Sequence, residues 1–156
     1  MIVMSIPDVE ADKEPIWSWS SSSPVTNVAI SSDSINLSAT YGQSVSLWKN
    51  GTSSPYNTKT LSQGISYMEM SSNGMYVLTG EETNKLTLWQ DGTKVWDKGF
   101  LNGLYGIDIS SDGSNITAVD RRNVYFFDKG SNSEVWNENF ATQEMSTVCL
   151  LYTSDA

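Results

Sequence analysis

The chain repeats itself about every forty residues, and a period of that length decides architecture before any single residue does. VAISSDS begins at Val28, MEMSSNG at Met68 and IDISSDG at Ile107, 40 and 39 residues apart. Each is followed by a second phrase: VSLW ending at Trp48, LTLW at Trp89 and VYFF at Phe127. A third marker, apolar then aromatic, stands at Ile16-Trp17, Pro55-Tyr56, Val95-Trp96 and Val135-Trp136, at intervals of 39, 40 and 40. Three markers keeping one order at one period do not arise from composition alone.

Within each unit the pattern spells four short strands. The first is VAIS, MEMS or IDIS, closed by a turn at Ser31–Ser34, Ser71–Gly74 or Ser110–Gly113. The second is INLSAT, MYVLTG or NITAVD, and the third SVSLW, KLTLW or NVYFF. Another turn, at Asn50-Gly51, Asp91-Gly92 or Lys129-Gly130, leads to the aromatic fourth strand. Asn-Gly and Asp-Gly reach positive φ at little cost, as tight hairpins require, and Asp33-Ser34 is a poorer version of the same turn. No eleven-residue window has a 3.6-residue period, so no helix of note is expected.

A four-stranded antiparallel unit of this length is a β-propeller blade. The expected fold is all-β: a partial propeller, with about three four-stranded antiparallel blades in an open arc at about 24–60, 64–100 and 104–140. Stray strands of flanking blades are expected at Trp17-Ser18-Trp19 and at Glu144 to Val148. Trp17, Trp48, Trp89, Trp96, Phe127 and Trp136 are the expected blade-packing aromatics, since such rings bring the largest area to a gap between sheets. Propellers close with typically 4–8 blades, so three leave both end faces open. A chain of this kind, expressed alone, is expected to be marginally stable or aggregation-prone.

The two ends read differently from the middle. Residues 1–13 have a short apolar run followed by Asp8, Glu10 and Asp12, which fails the pattern of a signal peptide, and are expected to form a disordered leader or an accidental start. No stretch approaches the roughly 20 apolar residues of a membrane span. The closing CLLYTSDA, Cys149 to Ala156, resembles the translation of a transposon-end adapter used in sequencing libraries. The expectation is that residues 149–156 are a non-native tail, that 14–148 is the propeller fragment, and that the native protein continues beyond it.

With these residues in view, the chain resembles the WD-repeat and quinoprotein-like propellers, and most of all marine archaeal repeat proteins. PIWSW at Pro15 to Trp19, VTNVAISSD at Val25 to Asp33 and NVYFFDKGS at Asn123 to Ser131 carry the likeness, which spans about residues 14–148. It implies a propeller fold and leaves function open. The Gly-His and Trp-Asp pairs of a standard WD repeat are missing: the pair positions read Trp48-Lys49, Trp89-Gln90 and Phe127-Asp128. The adjacent cysteines of the quinone-dependent dehydrogenases are missing too.

The chemistry-bearing residues are few. There is no His among the 156 residues, which removes the usual general base, metal ligand and pH switch. A single Cys excludes an internal disulfide and a thiolate zinc site. Eighteen acids against nine bases, a formal charge of −9, argue against nucleic acid as partner. Glu69 and Asp108 hold equivalent places in successive first strands, where Ala29 stands in the first unit, and are expected to line a channel, where two carboxylates can face water, a cation or an amine. The turns after the second strand vary in sign and length, at Tyr41-Gly42-Gln43, Glu81-Glu82-Thr83-Asn84 and Asp120-Arg121-Arg122-Asn123. Varied loops on a repeated scaffold are where recognition tends to sit, so Tyr41, Glu81, Glu82, Arg121 and Arg122 are the expected partner contacts. The Asp112-Gly113 stretch resembles part of a calcium loop, but a hairpin turn accounts for it.

These readings favour a non-catalytic propeller module that binds another protein, with no cofactor, metal or catalytic residue and an oligomeric state left open. The alternatives are part of a quinoprotein-like enzyme or sugar-binding sensor whose site lies in other blades, and a cell-envelope structural module. Composition suits the cytoplasm and the exterior equally; the resemblance tilts the expectation towards the exterior or envelope.

Overall fold

The computed structural model describes residues 15–140 and 147–150. The expected leader at 1–13, residues 144–146 of the expected closing strand, and 151–156 of the expected tail lie outside them. The described residues hold twelve strands and no helix. The first blade comprises β1 (Val25–Ile30), β2 (Asn36–Tyr41), β3 (Ser44–Lys49) and β4 (Asn57–Thr60). The second comprises β5 (Ile65–Met70), β6 (Tyr76–Glu81), β7 (Lys85–Gln90) and β8 (Thr93–Gly99), and the third β9 (Gly106–Ile109), β10 (Asn115–Val119), β11 (Asn123–Asp128) and β12 (Trp136–Asn139). Each blade is a meander in sequence order, antiparallel throughout, and no strand pairs across blades. The first strands approach one another, β1 to β5 and β5 to β9, as in blades converging on an axis. The fold is that of a partial β-propeller: three blades in an open arc.

The first turn of each blade is built by one device. The buried Ser31, Ser71 or Ser110 donates its hydroxyl to Asp33, Asn73 or Asp112 two residues on, at 2.5, 2.7 and 2.7 Å. The same hydroxyl oxygen accepts the N–H that opens the second strand, from Asn36, Tyr76 and Asn115. Ser34, Gly74 and Gly113 then carry φ of 61°, 68° and 77°, the left-handed turn residue that the sequence calls for. The turns also join blade to blade: Ser32 N–H donates to the Ser72 carbonyl at 2.9 Å and Asn73 N–H to the Ser111 carbonyl at 3.2 Å. The second turns are left-handed at Asn50-Gly51 and Asp91-Gly92, but not at Lys129-Gly130, where the Asp128 carboxylate accepts the Gly130 N–H and shapes the loop instead.

Register assigns every side chain a face. Leu47 stands opposite Ser38, Leu88 opposite Leu78, and Phe126 opposite Thr117, and these rows face the following blade. Trp48, Trp89 and Phe127 face the preceding one. Two apolar clusters result. Val45 and Leu47 meet Ile65, Met68 and Val77 between blades one and two. Leu78, Leu86, Leu88 and Trp96 meet Ile107, Ile109, Ile116 and Phe127 between blades two and three. Most of these side chains lose nearly all contact with water, worth about 1.5–3 kcal/mol each.

Candidate functional site

The aromatics fall into two groups. Trp96 and Phe127 are buried between sheets, Trp96 against Phe127 at 5.8 Å with its indole N–H on the Lys129 carbonyl, and Trp48 is buried on the outer face of blade one. Trp89 is partly buried and donates to Thr79 Oγ1 at 2.9 Å. Trp17 stacks on Trp48 at 6.3 Å, and Trp19 packs on Trp48 and Tyr41 at 5.1 and 5.0 Å. That segment covers the first blade without forming a strand. Trp136 is 48% exposed and stacks parallel on Phe126, on the open face of blade three rather than between blades. The fourth-strand equivalence is also shifted by one: Asn57, not Tyr56, stands opposite Leu47, as Trp96 does opposite Leu88 and Trp136 opposite Phe126.

Glu69 and Asp108 lie on the innermost strands, β5 and β9. The Glu69 carboxyl is held above its ordinary value, first by the protein bulk around it and then by the charge of Asp108. Asp108 is already engaged: one oxygen accepts the Ile109 N–H, the other the Leu150 N–H. Two such groups do not make a metal centre, and among the described residues no three His, Cys, Asp or Glu side chains gather to hold an ion.

The turns between second and third strands lie together at the rim opposite the joined serine turns, because equivalent strands run alike in every blade. Gly42, Gln43, Glu82, Thr83, Arg121 and Arg122 are exposed there, and Tyr41, half-buried, bonds Ser46 Oγ at 2.8 Å. Glu81 departs from the expected surface turn. It ends β6, its side chain is fully buried, and Lys85 Nζ lies 2.8 Å from it.

The residue equivalent to Glu81 in blade three is Asp120, which the sequence reading placed in a turn without giving it a role. It is a hub. Its carboxylate accepts the N–H groups of Arg122 and Asn123, the Asn123 and Asn102 side-chain amides and the Tyr125 hydroxyl, all within 3.3 Å. Burial opposes its ionisation, but those donors outweigh it and hold the carboxyl below the usual range. Tyr125, partly buried and bonded to this carboxylate, is pushed up to about 12. Phe100 packs edge-on to Tyr125 at 5.0 Å, and Tyr125 stacks on Phe127 at 6.3 Å. The gap between blades two and three is thus filled by rings over a saturated carboxylate.

Between blades one and two the same positions read Leu61 for Phe100, Thr87 for Tyr125, Trp89 for Phe127 and Glu81 for Asp120. A cavity of about 150 Å³ opens there, lined by Leu61, Glu81, Lys85, Thr87 and Trp89, with the Lys94–Asp97 ion pair at its mouth. Ser62 Oγ reaches Glu81 Oε2 at 3.3 Å, and the buried Thr87 hydroxyl has no hydrogen-bond partner.

Arrangement and register define a β-propeller fold, present here in part. Solved structures agree. The WD40 repeats of RRP9 superpose with a TM-score of 0.69 at 13% identity, over 82% of this chain and 42% of that one. U3-55K gives 0.69 at 13%, over 82% and 43%, and the β-propeller domain of Cps50 (Swd1) from Myceliophteria thermophila 0.67 at 11%, over 79% and 45%. The chain spans less than half the length of each. No protein-family model and no curated protein sequence matches it. No described helix is long and apolar enough to cross a membrane.

Proposed function

We propose that this chain is a non-catalytic propeller module that holds another protein at the rim formed by its second-to-third-strand turns. One observation carries the reading. The opposite rim spends its serine turns on bonds from blade to blade, whereas this rim exposes residues that differ in every blade: Gln43, then Glu82, then Arg121 and Arg122. A rigid strand scaffold bearing unlike side chains at equivalent tips is suited to recognition, and its run from neutral to negative to positive selects a partner of complementary pattern. The inner carboxylates Glu69 and Asp108 then serve the channel side rather than the contact.

The test is site-resolved cross-linking in the native host lysate, followed by binding of the purified partner. A photoreactive residue at Gln43, Glu82 or Arg122 is expected to yield one common adduct, and the same residue at Ser32 or Ser72 none. Arg122→Glu or Glu82→Lys is then expected to weaken binding about tenfold, with a dependence on salt. Adducts that concentrate on the serine rim, or binding indifferent to both reversals, would overturn the reading.

A further inference from the structure

Three Asn-Gly pairs occur in the chain, at Asn50-Gly51, Asn73-Gly74 and Asn102-Gly103. An asparagine before glycine is the one most prone to lose its side-chain amide. No side chain shields the glycine nitrogen, and glycine lets the backbone bend until that nitrogen meets the Asn carbonyl carbon. In a folded chain the outcome depends on what holds the two groups, and this fold treats the three pairs differently.

Asn73 is fixed at both polar atoms of its side chain. Its Oδ1 accepts the Ser71 hydroxyl at 2.7 Å and the Met75 N–H at 3.0 Å, and its Nδ2 donates to the Asp112 carbonyl at 3.1 Å. The nitrogen beside it is occupied too: the Gly74 N–H donates to the Ser71 carbonyl at 2.8 Å, and Gly74 is buried. Asn102 keeps one bond, from Nδ2 to Asp120 Oδ2 at 3.3 Å, and Gly103 lies against the Tyr105 ring, which a Cβ there would meet at 2.6 Å. Asn50 has neither restraint. It is exposed in the turn between β3 and β4, and among the described residues neither its side chain nor the Gly51 N–H has a hydrogen-bond partner. Nothing stands within 4 Å of the Cβ that Gly51 lacks, and the turn closes on a long bond, Thr52 N–H to the Lys49 carbonyl at 3.3 Å. The product fits as well. Blade two carries Asp91-Gly92 in the same turn, with φ of 47° and 73° against 56° and 65° at Asn50-Gly51, so an aspartate there needs no rebuilding.

We propose that Asn50 is a site of spontaneous deamidation, with water the only co-reactant. The Gly51 nitrogen gives its proton to solvent and bonds to Asn50 Cγ. The Cγ–Nδ2 bond breaks, and Nδ2 takes up a proton and leaves as ammonia. Water then opens the cyclic imide: at Cγ it gives aspartate, and at the Asn50 main-chain carbonyl carbon it gives isoaspartate, whose main chain is one carbon longer. Nothing is oxidised or reduced. Either product adds a negative charge to a chain already at −9, next in sequence to Lys49, whose ammonium pairs with Asp91 at 2.7 Å across blades one and two. Because β3 runs parallel to β1, this turn lies on the serine rim. The change therefore marks the age of the folded chain on the rim opposite the one proposed to hold a partner.

The test is peptide mapping by mass spectrometry of the full chain, held at low concentration in mildly alkaline buffer made with heavy-oxygen water. The peptide holding Asn50 is expected to exchange its amide for a carboxyl carrying one heavy oxygen, partly as isoaspartate. It is expected to do so at least about tenfold faster than the peptide holding Asn73, where several hydrogen bonds must break first. Asn102 is expected to fall between them. In urea, where all three pairs are released, the three rates are expected to converge. Gly51→Ala is expected to slow the reaction at Asn50 and to leave Asn73 and Asn102 unchanged. No heavy-oxygen uptake at Asn50, Asn73 or Asn102 reacting as fast as Asn50 in the folded chain, or the same spread of rates persisting in urea would each overturn the proposal. These rates are read on the unmodified chain, so a Gly51→Ala variant that fails to fold does not remove the test.

Discussion

At the scale of single residues, the serine turn satisfies two partners with one buried hydroxyl. Ser71 Oγ both donates to Asn73 and accepts the Tyr76 N–H, deep enough that no water replaces it. Ser71→Ala strands the Tyr76 donor, and is expected to cost about 1–3 kcal/mol in a denaturant titration. An unchanged midpoint would remove the turn from the account. The acids of this turn also link it to pH. Asp112 is lowered to about 2, first by the Ser114 N–H and then by the Ser110 and Ser114 hydroxyls, and Asp33 is lowered by the Ser31 hydroxyl and the Ile35 N–H. A carboxyl whose folded value lies below the unfolded one, about 3.9, stabilises above that value. The contribution is then lost as pH falls from about 4 towards 2. Asn73 fills the same place in blade two without titrating, so Asp33→Asn with Asp112→Asn is expected to fold and to lose less Tm between pH 6 and pH 2 than the parent. Identical acid profiles would refute the assignment.

At the scale of strands and sheets, position in the arc sets the energy of a side chain more than its identity does. Leu88 and Val124 both sit on third strands facing the following blade. Leu88 is sealed against blade three, while Val124 has no following blade in the described arc and is only half-buried. Leu88→Ala is expected to cost about 2–5 kcal/mol, and Val124→Ala less than about 1 kcal/mol, read from paired denaturant curves. Equal costs would mean that the gap between blades two and three is not a packed core. The strands and serine turns were readable from the sequence, because a period near forty and the Asn-Gly and Asp-Gly turns are local signals. What escaped depends on partners far along the chain. Glu81 reads as a turn acid, and only the register of β6 with β7, and Ser62 arriving from the first blade, bury it. Asp120 reads the same way until Tyr125 and Asn102 close on it. Trp136 repeats Trp96 in sequence, but with no following blade against it among the described residues it lies open. The exchange of Tyr125 for Thr87 is visible in the sequence, yet the space it leaves is defined only by the neighbouring sheet.

At the scale of the whole molecule, equivalent positions show what the open ends cost. Met68 and Ile107 face a preceding blade and are each 6% exposed; Val28, their counterpart in blade one, is 69% exposed. Ile109 is 7% exposed and its counterpart Ile30 59%. At the other end Trp136 stands open where Trp96 is buried. Each such side chain forfeits on the order of 1.5–3 kcal/mol of burial, and together they form apolar patches of the kind that mediate association. The described arc is therefore expected to self-associate as concentration rises, its apparent mass climbing above 17.2 kDa in size-exclusion chromatography with light scattering. Val28→Lys with Ile30→Glu places a paired charge on that face and touches no inter-blade contact, so it is expected to return the chain towards a 17.2 kDa species with little change in Tm. Met68→Lys, the same chemistry at the equivalent covered position, is expected to unfold the protein instead, because it buries a charge between blades one and two. A parent chain that stays at 17.2 kDa at high concentration, or a Met68→Lys variant as stable as Val28→Lys, would show that these faces are not the ones that blade stacking leaves bare.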